Sequence, residues 1–354
     1  MSRTIIDTNI APGQAFKNRI INGDMRIDQR NVGAVVTVND AIQFFVADRW
    51  LGLGQLTDGV FTLRTNNSGL AEFPTCLTAQ VTTADASLTT TQLYYIMQRI
   101  EGNMTADFLF GTASAKQISI SFWVKSSIAG SYSVIITNDS GNRTYPSAYT
   151  INSANVWERK TIAIPGDTTG TWPTSNLVGS TVIFPLGVGP TYTGSSNSWQ
   201  ASIYGITGQT MLIGTLNANF NVTAVQLEIG SVSTPFEYRP LAQELIMCQR
   251  YYEKNYDQAT VPGATSVISG IIYSRATAGT HIQTISFKVT KRAPPTVAVY
   301  NGVTGSSGSW RDYSASTNLT ATANDISDSA CWIGIASAVA GNGTGGYYVA
   351  KSEI

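Results

Sequence analysis

A nucleophilic hydrolase of the Ser-His-Asp or Cys-His type needs an imidazole to take the proton, and this chain has one histidine, His281. It lies in a Thr- and Gly-rich stretch between expected strands, and no Gly-x-Ser-x-Gly elbow accompanies it. It reads as a plain surface or loop histidine. Glycoside hydrolysis instead needs two carboxylates about 5–10 Å apart across the scissile bond. Asp24 with Asp28, and Glu228 with Glu237, are pairs that a fold could bring together. Asp28 and Asp48, however, stand near Arg30 and Arg49, the pattern of ion pairs that lock strand ends. Gly341-x-Gly343-x-x-Gly346 matches the dinucleotide fingerprint in letters only. That chemistry needs a helix N-terminus after the glycines, and here a final strand is expected, so the segment reads as a flexible turn.

The cysteines, Cys76, Cys248 and Cys331, are odd in number and far apart, with no Cys-x-x-Cys pair. Neither a disulfide framework nor a zinc site follows from them. The sequence is therefore read with no catalytic residue, no metal ligand and no cofactor.

Aromatic residues are the better clue to contact with another molecule. Trp50, Phe122, Trp157 and Trp332 fall within or at the ends of expected strands, where core packing is the default. Trp172, Tyr192, Trp199, Trp310 and Tyr313 fall in Gly-, Ser- and Thr-rich loops. A ring on a loop can join a subunit interface, stack on a sugar face, or pack the loop itself. These five are the candidate ligand or interface residues.

Charged residues make up 12% of the chain and hydrophobic ones 43%, with 32 Gly and 12 Pro. The apolar share is enough for true cores, and Ser, Thr, Asn and Gly take the place of charge. That mixture suits strands joined by tight turns rather than a helical bundle. Lys plus Arg and Asp plus Glu both number 22, so no basic excess points to nucleic acid. A weakly charged surface of zero net charge suits a packed assembly. No stretch approaches the roughly 18 apolar residues needed to span a bilayer, so no membrane insertion is expected. The start lacks a signal-peptide pattern, which implies synthesis in a cytoplasm. The seven Asn-x-Ser/Thr triplets, such as Asn66, Asn142 and Asn318, then read as turn composition.

The elements expected are short strands. Ile118–Lys125 alternates Ile118, Ile120, Phe122 and Val124 against Ser119, Ser121, Trp123 and Lys125. Tyr132–Thr137 leads into a turn at 138–142, and Val156–Ile164 stops at Pro165-Gly166. Strands are also expected at 53–63, 181–186, 210–216 and 222–229, the layout of a jelly roll or β-sandwich. Thr91–Ile100 fits a helix or a strand, and its aromatic and branched residues favour the strand. Leu241–Tyr256 has apolar residues at 241, 245, 248, 252 and 256, which predicts a helix after Pro240. Further strands at 267–276, 283–289, 296–300, 331–336 and 347–354 predict a second β-body. The fold class is all-β: an extended docking arm at 1–17, a jelly roll at 18–240, a linking helix at 241–258 and a small C-terminal β-sandwich at 259–354.

Several segments occur together in order: NRIINGDMRIDQRN (18–31), VADRW (46–50), QRIEG (98–102), ISFWVKSS (120–127), WERKTIAIPGDTTGTW (157–172) and VQLEIGSVSTPFEYRPLAQELIMCQRYYEK (225–254). The set, over about 18–256, resembles a family of phage and prophage tail or particle-surface proteins whose central domain is a jelly roll similar to carbohydrate-binding modules. FKVTKRAPPTVAVY and YYVAKSEI resemble that family's small β-domain. The resemblance implies a virion protein, often a tail fibre or spike, and a homo-oligomer, with a trimer expected by analogy. The extended start, with Pro12 and Gly13 against a helix, reads as an arm that docks to other virion proteins, and the loops would face a partner or host surface, a glycan being one candidate. Capsid decoration or a head fibre, and a glycan-degrading tail enzyme, are the rival readings. One departure matters: calcium-binding modules of similar fold carry acidic residues before the last strand, and Val222-Thr223-Ala224-Val225 has none.

Overall fold

The computed structural model describes residues 16–39, 44–55, 58–265, 269–277 and 279–354. Residues 1–15 of the expected docking arm lie outside these. The first β-body is a sandwich of two six-stranded antiparallel sheets. The first sheet runs Val36–Val38, Val60–Asn67, Thr75–Thr83, Asn219–Ile229, Ile118–Ser126 and Glu158–Ile164. The second runs Phe44–Phe45, Leu51–Gln55, Leu93–Glu101, Val178–Val188, Gly130–Thr137 and Thr144–Ile151. Neighbours distant in sequence, such as Thr75–Thr83 beside Asn219–Ile229, give the jelly-roll crossing.

Alternation builds this sandwich. Ile118, Ile120, Phe122 and Val124 turn inward, opposite Ile229, Leu227 and Val222 on one neighbour and Ile164 and Ile162 on the other. Phe122 meets Phe184 and Tyr149 edge-on at 5.1 Å each, tying the two sheets together. The ambiguous segment is the strand Leu93–Glu101. Tyr94, Ile96 and Ile100 enter the core, while Met97 is buried on the other face, so apolar residues on both sides hid the alternation.

Several expectations need correction. The strand expected at 53–63 is two strands in different sheets, Leu51–Gln55 and Val60–Asn67. The one expected at 210–216 is a short 3-10 turn, Leu212–Gly214, with Leu212 and Ile213 buried in the core. The helix ends at Gln249, and Tyr252–Lys254 is already a strand of the second body. Its residue Leu241 is exposed, and the apolar spacing continued because Tyr252 and Tyr256 are buried by strand pairing and by Tyr256 stacking on Tyr347 at 4.0 Å. Of the strand expected at 267–276, Ile272–Arg275 is observed, and 267–268 lie outside the described residues.

The second body is one eight-stranded sheet folded on itself around Gly343–Lys351. That strand pairs with Ile272–Arg275 and Ser309–Asp312 through its first half, and with Tyr252–Lys254 and Thr296–Tyr300 through its second. Gly343 and Gly346 therefore sit inside a strand rather than in a turn. A side chain at Gly346 would meet the Trp310 ring at 2.7 Å, so glycine is what lets that ring lie against the strand. No helix of the described residues is long and apolar enough to cross a membrane.

Candidate functional site

The ionisable residues singled out as catalytic candidates are engaged in structural bonds. His281 is a buried residue of the strand Gly279–Ser286, not a surface or loop histidine. Its Nδ1 accepts the Thr277 N–H at 3.3 Å, which places the ring proton on Nε2, 2.8 Å from Ser274 Oγ. The ring in that tautomer donates to the hydroxyl rather than drawing a proton from it. Asp28 accepts the backbone N–H groups of Asn31 and Gly33 at 2.9 and 2.7 Å and the Thr65 hydroxyl at 3.0 Å, holding a turn. Asp24 pairs with Arg26. Glu228 accepts from Thr234 and Gln226, and Glu237 from Phe16, Asn18 and Arg239. Those two carboxylates tie the 230–240 loop and the 16–18 segment to the sandwich.

Arg30 and Arg49 do not pair with Asp28 and Asp48. Both converge on Glu353, just past the last strand. The Arg30 guanidinium lies between the rings of Phe45 and Tyr252, at 4.6 and 3.7 Å, and Arg49 lies over Tyr251 at 3.6 Å. Asp48 is buried and accepts both the backbone and side-chain N–H of Gln29, and burial pushes its carboxyl up to about 6 although the Arg30 charge opposes this. Glu101 accepts a two-pronged bond from Arg250 at 2.6 and 2.8 Å and the Tyr251 hydroxyl at 2.6 Å. The NGDMRIDQR, ADRW, QRIEG and CQRYYEK segments thus supply the joint between the two bodies.

The five aromatic candidates separate. Trp172 and Trp199 come together at 5.6 Å with Phe110 and Tyr145, all edge-on. The Trp172 indole donates to Asp167 and the Trp199 indole to the Pro165 carbonyl, while Arg143 clasps Asp167 by two bonds. This cluster pins loops to the main core. Trp310 is fully buried in the second body's core, because Ser309–Asp312 is a strand and not a loop. Tyr313 packs on Tyr273 at 6.1 Å. Trp157 and Trp332, expected in the core, are half-buried and donate to the Ser68 carbonyl and to Asp325.

Tyr192 belongs to a different arrangement. Across the outer face of the second sheet, Leu51, Met97, Ile183 and Ile135 form one cross-strand row, a buried apolar floor. Phe45, Leu53, Tyr95 and Tyr204 pack on it, and Tyr192 meets Tyr204 edge-on at 5.7 Å. Arg99 lies two residues beyond Met97 on the same face. The Tyr95 hydroxyl is pushed up to about 12 by burial and then by Tyr204 beside it, so it is a neutral donor and acceptor. Phenol rings over an apolar floor, with hydroxyls at their edges, suit a flat molecule with C–H faces and hydroxyl rims. Tyr95 was legible as the outward neighbour of Tyr94 and Ile96, but Tyr204 carried no sequence signal. Among the described residues, no three His, Cys, Asp or Glu side chains gather to hold a metal ion.

No family model matches the chain. No curated protein matches it. Solved structures do. The enzymatically active domain of bacteriophage CBA120 tailspike protein 4 aligns with a TM-score of 0.32 at 13% identity, over 61% of this chain and 22% of that one. The family 11 carbohydrate-binding module of Clostridium thermocellum, in complex with a β-1,3-1,4-mixed-linked tetrasaccharide, aligns with a TM-score of 0.29 at 15% identity, over 52% and 91%. The CBM22-1 xylan-binding domain of Paenibacillus barcinonensis Xyn10C aligns with a TM-score of 0.26 at 8% identity, over 57% and 99%. The chain thus spans less than a quarter of the tailspike chain. Likeness of this degree carries no information on function.

Proposed function

We propose that this chain is a non-enzymatic structural subunit of a bacteriophage particle, a tail-fibre or tail-appendage protein that binds a host-surface glycan through the tyrosine face. The observation that carries this reading is the gathering of Tyr95, Tyr192 and Tyr204 with Arg99 over the apolar floor of the second sheet. The commitment of Asp24, Asp28, Glu228 and Glu237 to turns and loops supports the non-enzymatic part. The family resemblance of 18–256 supports the virion part. In this reading the subunit is a homo-oligomer, a trimer, and residues 1–17 dock it to other virion proteins.

Gold-labelled antibody on intact particles tests the location. Label on the tail is the expected result, and label confined to heads means decoration instead. Purified protein should be retained on host cells, with retention lost in a Tyr95→Ala, Tyr204→Ala double variant that melts like the parent. Release of reducing ends from host polysaccharide would overturn the non-enzymatic reading. Light scattering reads the oligomer directly.

A further inference from the structure

A concavity of about 260 Å³ lies on the other side of the sandwich from the tyrosine face, on the outer face of the first sheet. Trp123, Arg159, Glu72, Ser233, Ala224 and Phe236 line it. Its floor is made by a break in the sheet. The pairing of Asn219–Ile229 with Ile118–Ser126 slips between Thr223 and Gln226, and Ala224 there has φ 52°, in the left-handed region. An alanine held in that conformation costs about 1–2 kcal/mol, and bulges of this kind redirect side chains. The 18–25 segment imposes it: the Val225 N–H donates to the Gly23 carbonyl at 2.9 Å, and any side chain at Gly23 would strike the Val225 carbonyl.

Trp123 follows the inward Phe122 and so turns outward, opposite Arg159 on one neighbouring strand and Thr223 on the other. The indoles of Trp50, Trp157, Trp172, Trp199 and Trp332 each have an acceptor within the chain. Those of Trp310, fully buried in the second core, and of Trp123, half-buried on this outer face, have none among the described residues. Ser233 Oγ is withdrawn from solvent and without a partner. A partnerless buried hydroxyl costs roughly 1–3 kcal/mol, which a bound hydrogen-bonding molecule would recover. Phe236 stands edge-on to the stacked pair Phe73 and Tyr238, giving a rigid apolar wall. Arg159 and Glu72 bring one positive and one negative charge, so the groove has no net preference for an ion.

We propose that this groove is a saccharide site, separate from the tyrosine face, that takes one neutral hexose unit with its ring on Trp123. The indole face meets the C–H side of the sugar. The indole N–H, Ser233, Arg159 and Glu72 supply donors and an acceptor for its hydroxyls. The site goes beyond the proposed function and depends neither on the tyrosine face nor on the subunit's place in a particle.

Saturation-transfer NMR of the full chain with glucose, galactose, mannose and N-acetylglucosamine tests it. At least one sugar should receive saturation, and Trp123→Ala should weaken it about ten-fold. Trp123→Phe, which keeps a ring without the N–H, should fall between, and Tyr95→Ala should leave it unchanged. Should Trp123→Ala fail to fold, Arg159→Ala and Ser233→Ala carry the test on the groove's rim. No saturation of any of the four, or binding insensitive to all the groove variants, overturns the proposal. Binding abolished by Tyr95→Ala alone overturns it too, and leaves the tyrosine face standing.

Discussion

Arg49 reaches Glu353 across the joint between the two β-bodies, a contact between residues 304 apart in sequence. Arg49 is 2% exposed and itself sits at φ 72°. Its other guanidinium nitrogen donates to the Arg99 carbonyl at 2.6 Å, so it also fixes the second sheet. Glu353 is shared with Arg30, so one carboxylate serves two cations.

Removing that carboxylate leaves a buried guanidinium without its counter-charge. Glu353→Ala should lower stability by about 3 kcal/mol, since breaking a buried pair from one side is costly. Arg49→Met combined with Glu353→Leu should lose less than Glu353→Ala alone. Urea denaturation of the three proteins checks both, and equal losses would contradict the assignment.

Asp48 titrates against folding. Its carboxyl in the folded chain is raised from 3.8 to about 6, so the folded state is favoured by protonation. That contribution is full below about 4 and is lost as pH rises through 6, roughly 3 kcal/mol in all. Asp48→Asn, which cannot ionise, should therefore gain on the parent between pH 4 and pH 7. Melting curves at both pH values measure the difference, and a constant offset would refute it.

The Arg143–Asp167 clasp holds the Trp172 and Trp199 indoles in place. Asp167→Ala should cost about 2 kcal/mol and free Trp172, with a red-shifted tryptophan emission. The shift should be absent in Trp172→Phe, Asp167→Ala protein.

Trp310 and Tyr313 should part company on substitution. Trp310 is 0% exposed in the second core, so Trp310→Ala should cost about 3–5 kcal/mol. Tyr313, half-buried beside Tyr273, should cost under about 2 kcal/mol. Denaturant midpoints compare them.

What the sequence disclosed follows from where water lies. Ile118–Ser126 was legible because only one of its faces is apolar, whereas Leu93–Glu101 has apolar residues on both faces and reads ambiguously. Trp310 reads as a loop residue because its Gly and Ser neighbours speak for a loop, and pairing with 317–320 and with 344–345 makes the segment a strand. The helix was overrun because burial of Tyr252 and Tyr256 by a strand some 90 residues onward happens to keep helical spacing. The carboxylate that Arg30 and Arg49 seek lies over 300 residues away, where local spacing says nothing of it. Of the candidate face, Tyr192 stands in a Gly- and Thr-rich loop that marks it, and its partner Tyr204 carries no such mark.

Gly343–Lys351 is the partner that four other strands of the second body share. Until that stretch has emerged from the ribosome, Tyr252–Lys254, Ile272–Arg275 and Thr296–Tyr300 lack the strand they pair with, and Ser309–Asp312 has only Thr317–Asn324. The second body is therefore completed late, after the first sandwich has had time to close around its own core. A nascent chain stalled anywhere before Gly343 would expose unpaired backbone to its neighbours, which makes this region the one most in need of a chaperone.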